Sequence, residues 1–153
     1  MRPSKAILVS CLILVFILAY TTASKLLNWP HYTRAMLAQP FTDWFNQILI
    51  YAIPTLETSA ILLLLINKTR KAGLRLTTVI LFLFTAYTAW IFASGKDRST
   101  CPCGGLFSQL SWTNHLIVNT SITLLALLTT IFYNSSLNIF HGHEKRRNAD
   151  ASD

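Results

Sequence analysis

Two cysteines separated by a single residue are the most reactive feature of the sequence. Cys101 and Cys103 lie in the segment SGKDRSTCPCGGLFSQLSWTNH, between two apolar runs. Thiols at this spacing can close a very small disulfide ring, which Pro102 restricts further, and a strained disulfide is easily reduced. The pair therefore favours reversible thiol–disulfide exchange over a permanent structural crosslink.

Other chemistry remains open for these two thiols. With His115 nearby they offer the thiolate and imidazole ligands that Cu(I) selects, and a passive disulfide or two unreactive thiols also fit the pattern. The spacing does not decide between these functions, because Cys-x-Cys is a weaker redox signal than Cys-x-x-Cys.

His115 is a candidate activator of the cysteine pair. It follows Ser111, a residue type suited to capping the start of a helix. A thiol with the ordinary pKa of about 8.5 is mostly protonated at neutral pH, and a nearby imidazole or helix N-terminus increases the reactive thiolate fraction. Asn119, one turn further on, is in position to hold the imidazole ring. The alternative is a histidine that only caps or packs at the membrane edge.

Glu57 is the second candidate, since it is the one charged residue in the apolar stretch 44–67. An ionisable group inside a bilayer costs several kcal/mol unless it is paired, neutral or hydrated. We therefore expect it to face a bundle interior. Lys25 ends the first helix at the outer side, separated in depth from Glu57, but its long side chain can reach inward to form an ion pair. Pro54 adds a polar notch nearby, because a proline inside a helix frees the carbonyl one turn earlier, at Ile50. Glu57 is then either a buried acid that holds helices together or a group that handles protons or a quinone.

Four apolar stretches must position these residues. The chain is 52% hydrophobic and 12% charged, and its mean hydropathy is +0.44, which argues against a soluble globule and against a disordered chain. The runs show no alternation of the kind that barrel strands require. We predict an all-α integral membrane four-helix bundle at 1–140, with helices at about 6–24, 44–67, 76–95 and 113–137, followed by a solvated tail at 141–153.

The basic residues predict the orientation of this bundle, because Lys and Arg are retained on the cytoplasmic side. With both termini cytoplasmic, nine of the 13 basic residues lie inside and four outside. The cluster NKTRKAGLR carries the most weight. The excess of positive charge is thus a topology signal and does not call for nucleic-acid binding. It predicts a multi-pass protein of the cell inner membrane, with Cys101 and Cys103 on the oxidising periplasmic side.

Two expectations concern the first apolar stretch. Cys11 lies near its inner end, roughly 20 Å of helix rise from the outer surface, so it cannot pair with the loop cysteines and is interpreted as a small packing residue. The stretch also resembles a signal peptide, with Thr21 and Ala23 as small residues at a cleavage site. A retained helix is favoured, because the run is longer than a typical signal core.

The sequence resembles the MauE/DoxX group of redox-associated membrane proteins. The resemblance spans nearly the whole chain and is carried by the following residues: Ser24-Lys25-Leu26, Pro54 and Glu57 in IPTLETSAILLLL, the CPCGG loop, Ser111-Trp112, His115 and Asn119. One departure is the loop itself, which reads Cys-Pro-Cys-Gly-Gly where many relatives have Cys-Gly-Cys-Phe-Gly.

This resemblance implies a membrane redox protein that exchanges disulfides or reducing equivalents with a periplasmic thioredoxin-like partner, and in the DoxX branch with a quinone. It makes a thiol–disulfide or quinone oxidoreductase the leading hypothesis, with no metal expected and quinone as the one candidate cofactor. Two alternatives from other classes stay open: a non-catalytic membrane anchor or chaperone for a periplasmic redox protein, and a small metal or solute carrier.

Overall fold

This computed structural model describes residues 5–94 and 112–150, with side chains described for 5–94 and 113–135, and in this part the chain forms helices joined by short turns. The helices are α1 (Lys5–Leu27), α2 (Trp29–Leu37), α3 (Asp43–Leu65), α4 (Arg70–Ala93) and α5 (Trp112–Asp150). The predicted all-α class is confirmed.

Four of these helices are long and apolar enough to cross a membrane: α1, α3, α4 and the part of α5 from Thr113 to Ser135. Each apolar span of 23 or 24 residues rises by about 35 Å, which exceeds the hydrocarbon thickness of a bilayer. The protein is therefore a multi-pass membrane protein. The cytoplasmic location of both termini stays a prediction.

Three helix bounds differ from those predicted. Helix α1 runs to Leu27, α4 begins at Arg70 and not near 76, and α5 continues to Asp150 through residues predicted as a tail. The reason is that an apolar run measures the lipid-embedded part of a helix and not the whole helix. Lys, Arg and Glu are good helix formers in water, so the basic ends of α4 and α5 extend beyond the apolar spans.

Helix α2 was missed by the sequence analysis. It has nine residues, which is too short to span a membrane, and its sequence WPHYTRAML mixes polar and apolar types. Two signals were present: Pro30 lies in the first turn, where proline is favoured, and Tyr32, Ala35 and Met36 are spaced to share one helical face. These three side chains are buried, and α2 packs against α3.

The apolar core lies between α1, α3, α4 and α5. Four residues of α1 form one stripe at spacings of three and four: Ile7, Cys11, Leu14 and Leu18, all buried. They pack with Ala60, Leu64, Leu74, Leu81 and Ala126 of the other helices. Cys11 is a free thiol with 3% of its surface exposed, which agrees with its interpretation as a packing residue.

Close packing and polar contacts fix the remaining helix pairs. A Cβ on Gly73 would lie 2.7 Å from the backbone nitrogen of Leu64, so only glycine lets α4 approach α3 here. Helices α4 and α5 are joined by hydrogen bonds between threonine hydroxyls, Thr78 with Thr130 at 3.0 Å and Thr85 with Thr123 at 2.8 Å. Such bonds between membrane helices stabilise one register, and here they fix the position of the start of α5.

Candidate functional site

The polar centre of the bundle lies on the continuation of the α1 stripe that contributes to the apolar core. Continuing from Leu18 by four and then three residues, the stripe reaches Thr22 and Lys25, and both side chains are buried. On α3 a matching stripe carries Glu57 between Pro54 and Ala60, which are also buried. The helical spacing thus directs a hydroxyl, an ammonium and a carboxylate into the interface between α1 and α3.

Lys25 and Glu57 form a buried ion pair. Lys25 Nζ lies 2.8 Å from Glu57 Oε1 and 3.0 Å from Oε2, and the two side chains are only 2% and 3% exposed. The hydroxyl of Thr22 donates a hydrogen bond of 2.8 Å to Oε2. Both carboxylate oxygens are therefore bonded, and the positive charge offsets the negative one where water is largely excluded.

The ion pair corrects the depth at which the sequence analysis placed Lys25. From the sequence, Lys25 is expected at the outer end of the first helix and separated in depth from Glu57. Glu57 lies 14 residues after Asp43, about 21 Å below the start of α3. Lys25 reaches Glu57 because α1 ends deep in the bundle, and α2 continues alongside the upper part of α3.

A small cavity of about 50 Å³ adjoins the ion pair, and its polar lining includes Thr21, Lys25, Glu57, His115 and Asn119. This volume is sufficient for a few water molecules, which could be held by hydrogen bonds to the polar side chains of the lining. Apolar side chains of α4 form another wall of the cavity. One of them is Phe84, whose ring centroid lies 5.9 Å from Lys25 Nζ, so the ring face adds to the stabilisation of the ammonium.

His115 lies in the first turn of α5, as predicted, but it faces the bundle interior. Its side chain is 1% exposed and lines the same cavity as Glu57. The sequence predicted only a position in the first turn of the helix, which does not reveal which face of that helix is buried. The structure thus brings His115, Lys25 and Glu57 around one cavity.

Asn119 also lines this cavity, one turn after His115. Its amide nitrogen donates a hydrogen bond of 3.3 Å to Thr88 Oγ1 on α4. The predicted role of Asn119 in holding the imidazole stays a prediction. Cys101, Cys103 and Ser111 lie outside the described residues.

The polar notch predicted at Pro54 is present, and a tyrosine of α2 occupies it. Proline has no amide hydrogen to bond the carbonyl of Ile50. The hydroxyl of Tyr32 donates to that carbonyl at 3.3 Å and approaches the carbonyl of Leu49 at 3.4 Å. Burial, with a smaller contribution from the negative charge of Glu57, raises the pKa of Tyr32, so the hydroxyl stays protonated and able to donate.

Removing this hydroxyl should destabilise the protein only while Pro54 is present. We expect Tyr32→Phe to lower the free energy of unfolding by about 1–2 kcal/mol, because the Ile50 carbonyl is left without a donor. In a Pro54→Ala background the new amide can bond that carbonyl, and the same substitution should cost less than half as much. Thermal unfolding of the four proteins in detergent measures both effects, and equal costs in the two backgrounds would contradict this account of the notch.

The site combines a proton acceptor or donor, Glu57, with a fixed counter-charge and a buried imidazole. Sequence reasoning missed Thr22, Tyr32 and Phe84 as its partners. The spacing of Thr22 from Leu18 was an available signal, whereas nothing in the sequence indicated Phe84. In the described part of the chain, no three His, Cys, Asp or Glu side chains lie close enough to hold a metal ion.

The comparisons with known proteins agree with this architecture. A family model described as "Methylamine utilisation protein MauE" matches residues 3–132 of the chain. That range contains all four apolar spans up to Phe132, the ion pair and the cysteine segment. No curated protein and no solved structure matches the chain.

Proposed function

This chain belongs to the MauE family of membrane proteins, and from that premise we propose that it passes reducing equivalents through Cys101 and Cys103. The pair exchanges disulfides with a thioredoxin-like protein on the periplasmic side of the inner membrane. The other exchange partner is a quinone or a second thiol protein.

The observation that carries the proposal is the cavity shared by His115, Lys25 and Glu57. Helix α4 ends at Ala93 and α5 begins at Trp112, so the segment that contains both cysteines leaves and re-enters the bundle at one end. His115 lies three residues after that re-entry point. An imidazole that shares a cavity with Lys25 and Glu57 therefore lies within one helical turn of the point at which the cysteine segment joins α5.

The exchange itself requires two thiols and one partner disulfide. The thiolate of one cysteine attacks a sulfur of the partner's disulfide, which breaks and leaves the two proteins joined by a mixed disulfide. The second cysteine then displaces the partner. The partner gains two electrons and two protons as a dithiol, and Cys101 and Cys103 lose the same number as they form a disulfide. The reverse sequence oxidises the partner.

Protons must move with these electrons, and the buried groups supply a route for them. His115 accepts a proton from the attacking thiol, and water in the cavity links the imidazole to Glu57. Lys25 keeps the carboxylate site neutral overall while Glu57 is ionised. The distribution of basic residues along the sequence supports the same compartment, since nine of the 13 fall in segments predicted to be cytoplasmic and the cysteine segment falls on the other side in that prediction.

A trapped intermediate tests the proposal directly. In a Cys101→Ser or Cys103→Ser variant the mixed disulfide cannot be resolved by the second cysteine, and we expect the variant that retains the attacking thiol to accumulate a covalent complex with a thioredoxin-like protein. The complex should be visible on non-reducing gels and disappear on reduction. Cys11→Ser is the matched control, because that thiol is buried in the core, and it should leave the complex unchanged.

Labelling of the thiols tests the orientation in the same membranes. After reduction, a membrane-impermeant thiol reagent added from the periplasmic side should modify Cys101 and Cys103 and leave Cys11 unmodified. Modification from the cytoplasmic side alone would contradict the orientation. The alternative is a non-catalytic membrane anchor. It would be favoured if the partner associates equally well with the Cys101→Ser/Cys103→Ser double variant and the single variants form no covalent complex.

A further inference from the structure

A second, larger space lies between α2, α3 and α4, and the candidate site does not account for it. This space, called the α3–α4 groove below, has a volume of about 370 Å³. Residues that recur every three or four positions line it from one face of each helix. They are Phe45, Leu49, Ile53 and Leu56 on α3, and Ile80, Leu83, Phe84 and Tyr87 on α4.

The α3–α4 groove forms because the two helices pack tightly at only one end. Near the start of α4, a Cβ on Gly73 would lie 2.7 Å from the backbone nitrogen of Leu64, so the two backbones are in contact there. Towards the end of α4 the helices are separated by the groove. Met36 of α2 and Gln39 line it near the start of α3 but leave the space between the helices unfilled.

The polar groups of the lining bind one another. The hydroxyl of Tyr87 donates a hydrogen bond to Gln39 Oε1, and Gln39 Nε2 donates to the carbonyl of Ala35 at 2.6 Å. The other lining side chains are apolar. Because a polar ligand would lose its hydrogen bonds to water without replacing them here, the chemistry of the groove favours a hydrocarbon.

The α3–α4 groove opens on a surface that faces lipid. Leu56 and Leu83 are 44% and 61% exposed, and both belong to membrane-spanning helices. Water does not fill an apolar space of this kind, and an empty one lowers the stability of the fold in proportion to its volume. Hydrocarbon from the bilayer is the material that is available to fill it.

The dimensions of the groove distinguish a lipid chain from a helix. Leu56 lies 11 residues after Phe45, so the groove runs for about 17 Å along α3, which is close to the roughly 15 Å of hydrocarbon in one leaflet. A volume of about 370 Å³ over that length gives a width of about 5 Å. A helix is about 10–12 Å across. Carbon atoms in contact are about 4 Å apart, so one extended hydrocarbon chain matches the width.

We propose that the α3–α4 groove binds a membrane phospholipid by one of its acyl chains, in the leaflet at the end of the bundle where α4 ends. The chain lies along α3 from the level of Phe45 to that of Leu56. It also supports the wall next to the ion pair, because Ile80 and Phe84 line both the groove and the polar cavity. This binding does not depend on the cysteines or on the proposed disulfide exchange.

Phospholipid binding is measured on the purified full chain in CHAPS, a detergent whose rigid steroid body does not fit a groove that is one chain wide. The probe is dimyristoyl phosphatidylcholine. A ligand that binds only the folded protein raises its melting temperature, and we expect a saturable rise of about 5–10 °C at about a hundred times the dissociation constant. Native mass spectrometry should show one retained phospholipid for each chain.

Two variants fill the groove with a larger side chain, Ile53→Trp and Leu49→Phe, so that the test stands if one of them does not fold. We expect each to raise the dissociation constant for the phospholipid by about tenfold, the effect of a steric conflict in a packed space. Leu62→Trp is the matched control, because Leu62 is on the same helix, lies outside the groove and is 56% exposed. It should bind like the parent protein.

Three other outcomes would overturn the proposal. A melting temperature that does not rise saturably, or that rises equally in the filling variants and the control, assigns the effect to lipid around the whole bundle. A rise with phosphatidylglycerol but not with phosphatidylcholine assigns it to a charged headgroup. A mass of two chains without retained lipid assigns the groove to a second copy of the protein.

Discussion

Glu57→Gln and Lys25→Met should each lower the free energy of unfolding by about 3–5 kcal/mol, and the double variant should recover most of that loss. Removing one member of a buried ion pair leaves the other charge without compensation in a medium of low dielectric constant, whereas removing both leaves no buried charge. The Lys25–Glu57 pair fits this description, since its side chains are 2% and 3% exposed. This is the largest stability effect that we expect from any substitution in the bundle.

The measurement is reversible unfolding of the four proteins in mixed micelles, treated as a double-mutant cycle. Lys68→Met is the matched control, because it makes the same substitution at an exposed position near the connection between α3 and α4, and it should change stability by less than about 0.5 kcal/mol. Losses that add in the double variant would show that the two charges do not interact energetically.

The double variant also separates the two roles that remain open for Glu57. A bundle that folds without the ion pair but no longer exchanges disulfides points to proton transfer by Glu57, since Thr22 can still bond the new glutamine. Full activity in the same variant points to a pair whose role is to hold α1 against α3. The single variants cannot make this distinction, because loss of stability would reduce activity in either case.

Much of this fold could be predicted from the apolar runs, because lipid requires about 20 apolar residues in each crossing and leaves a strong signal in the sequence. Helix α2 left no such signal, since its nine residues pack on protein and do not cross the membrane. The same limitation affected the starts and ends of the long helices. Helix α4, for example, begins at Arg70. Basic residues next to an apolar run are equally typical of loops, so they did not reveal this start.

The candidate site, too, could be predicted from the sequence only in part. A carboxylate in an apolar stretch must find a partner, and this argument alone was enough to pair Glu57 with Lys25. The depth of the contact could not be predicted, because it depends on α1 ending below the start of α3. Likewise, the sequence placed His115 in the first turn of a helix without showing that its side chain faces the ion pair.

The cysteine segment should depend on His115 for its reactivity. We expect His115→Gln to slow alkylation of the attacking loop cysteine, and its exchange with a partner disulfide, by about 100-fold near neutral pH, the lower end of what a positioned general base contributes. Glutamine keeps hydrogen-bonding capacity in the buried position but cannot accept the proton. Asn114→Gln is the matched control, because it introduces the same residue at the exposed neighbouring position, and it should leave the rate unchanged.

The pH profile identifies the mechanism, since a merely structural histidine would not change it. In the parent protein the neutral imidazole accepts the thiol proton, so the rate should fall as the pH decreases through the titration of His115. Once the imidazole is absent, only the titration of the thiol remains, and the rate should rise with pH towards the ordinary thiol pKa of about 8.5. Rates are measured for each loop cysteine separately in native membranes, with unfolding followed in parallel. Equal rates and superimposable pH profiles in the parent and His115→Gln proteins would assign His115 to packing at the start of α5 and leave activation of the cysteines to the helix N-terminus.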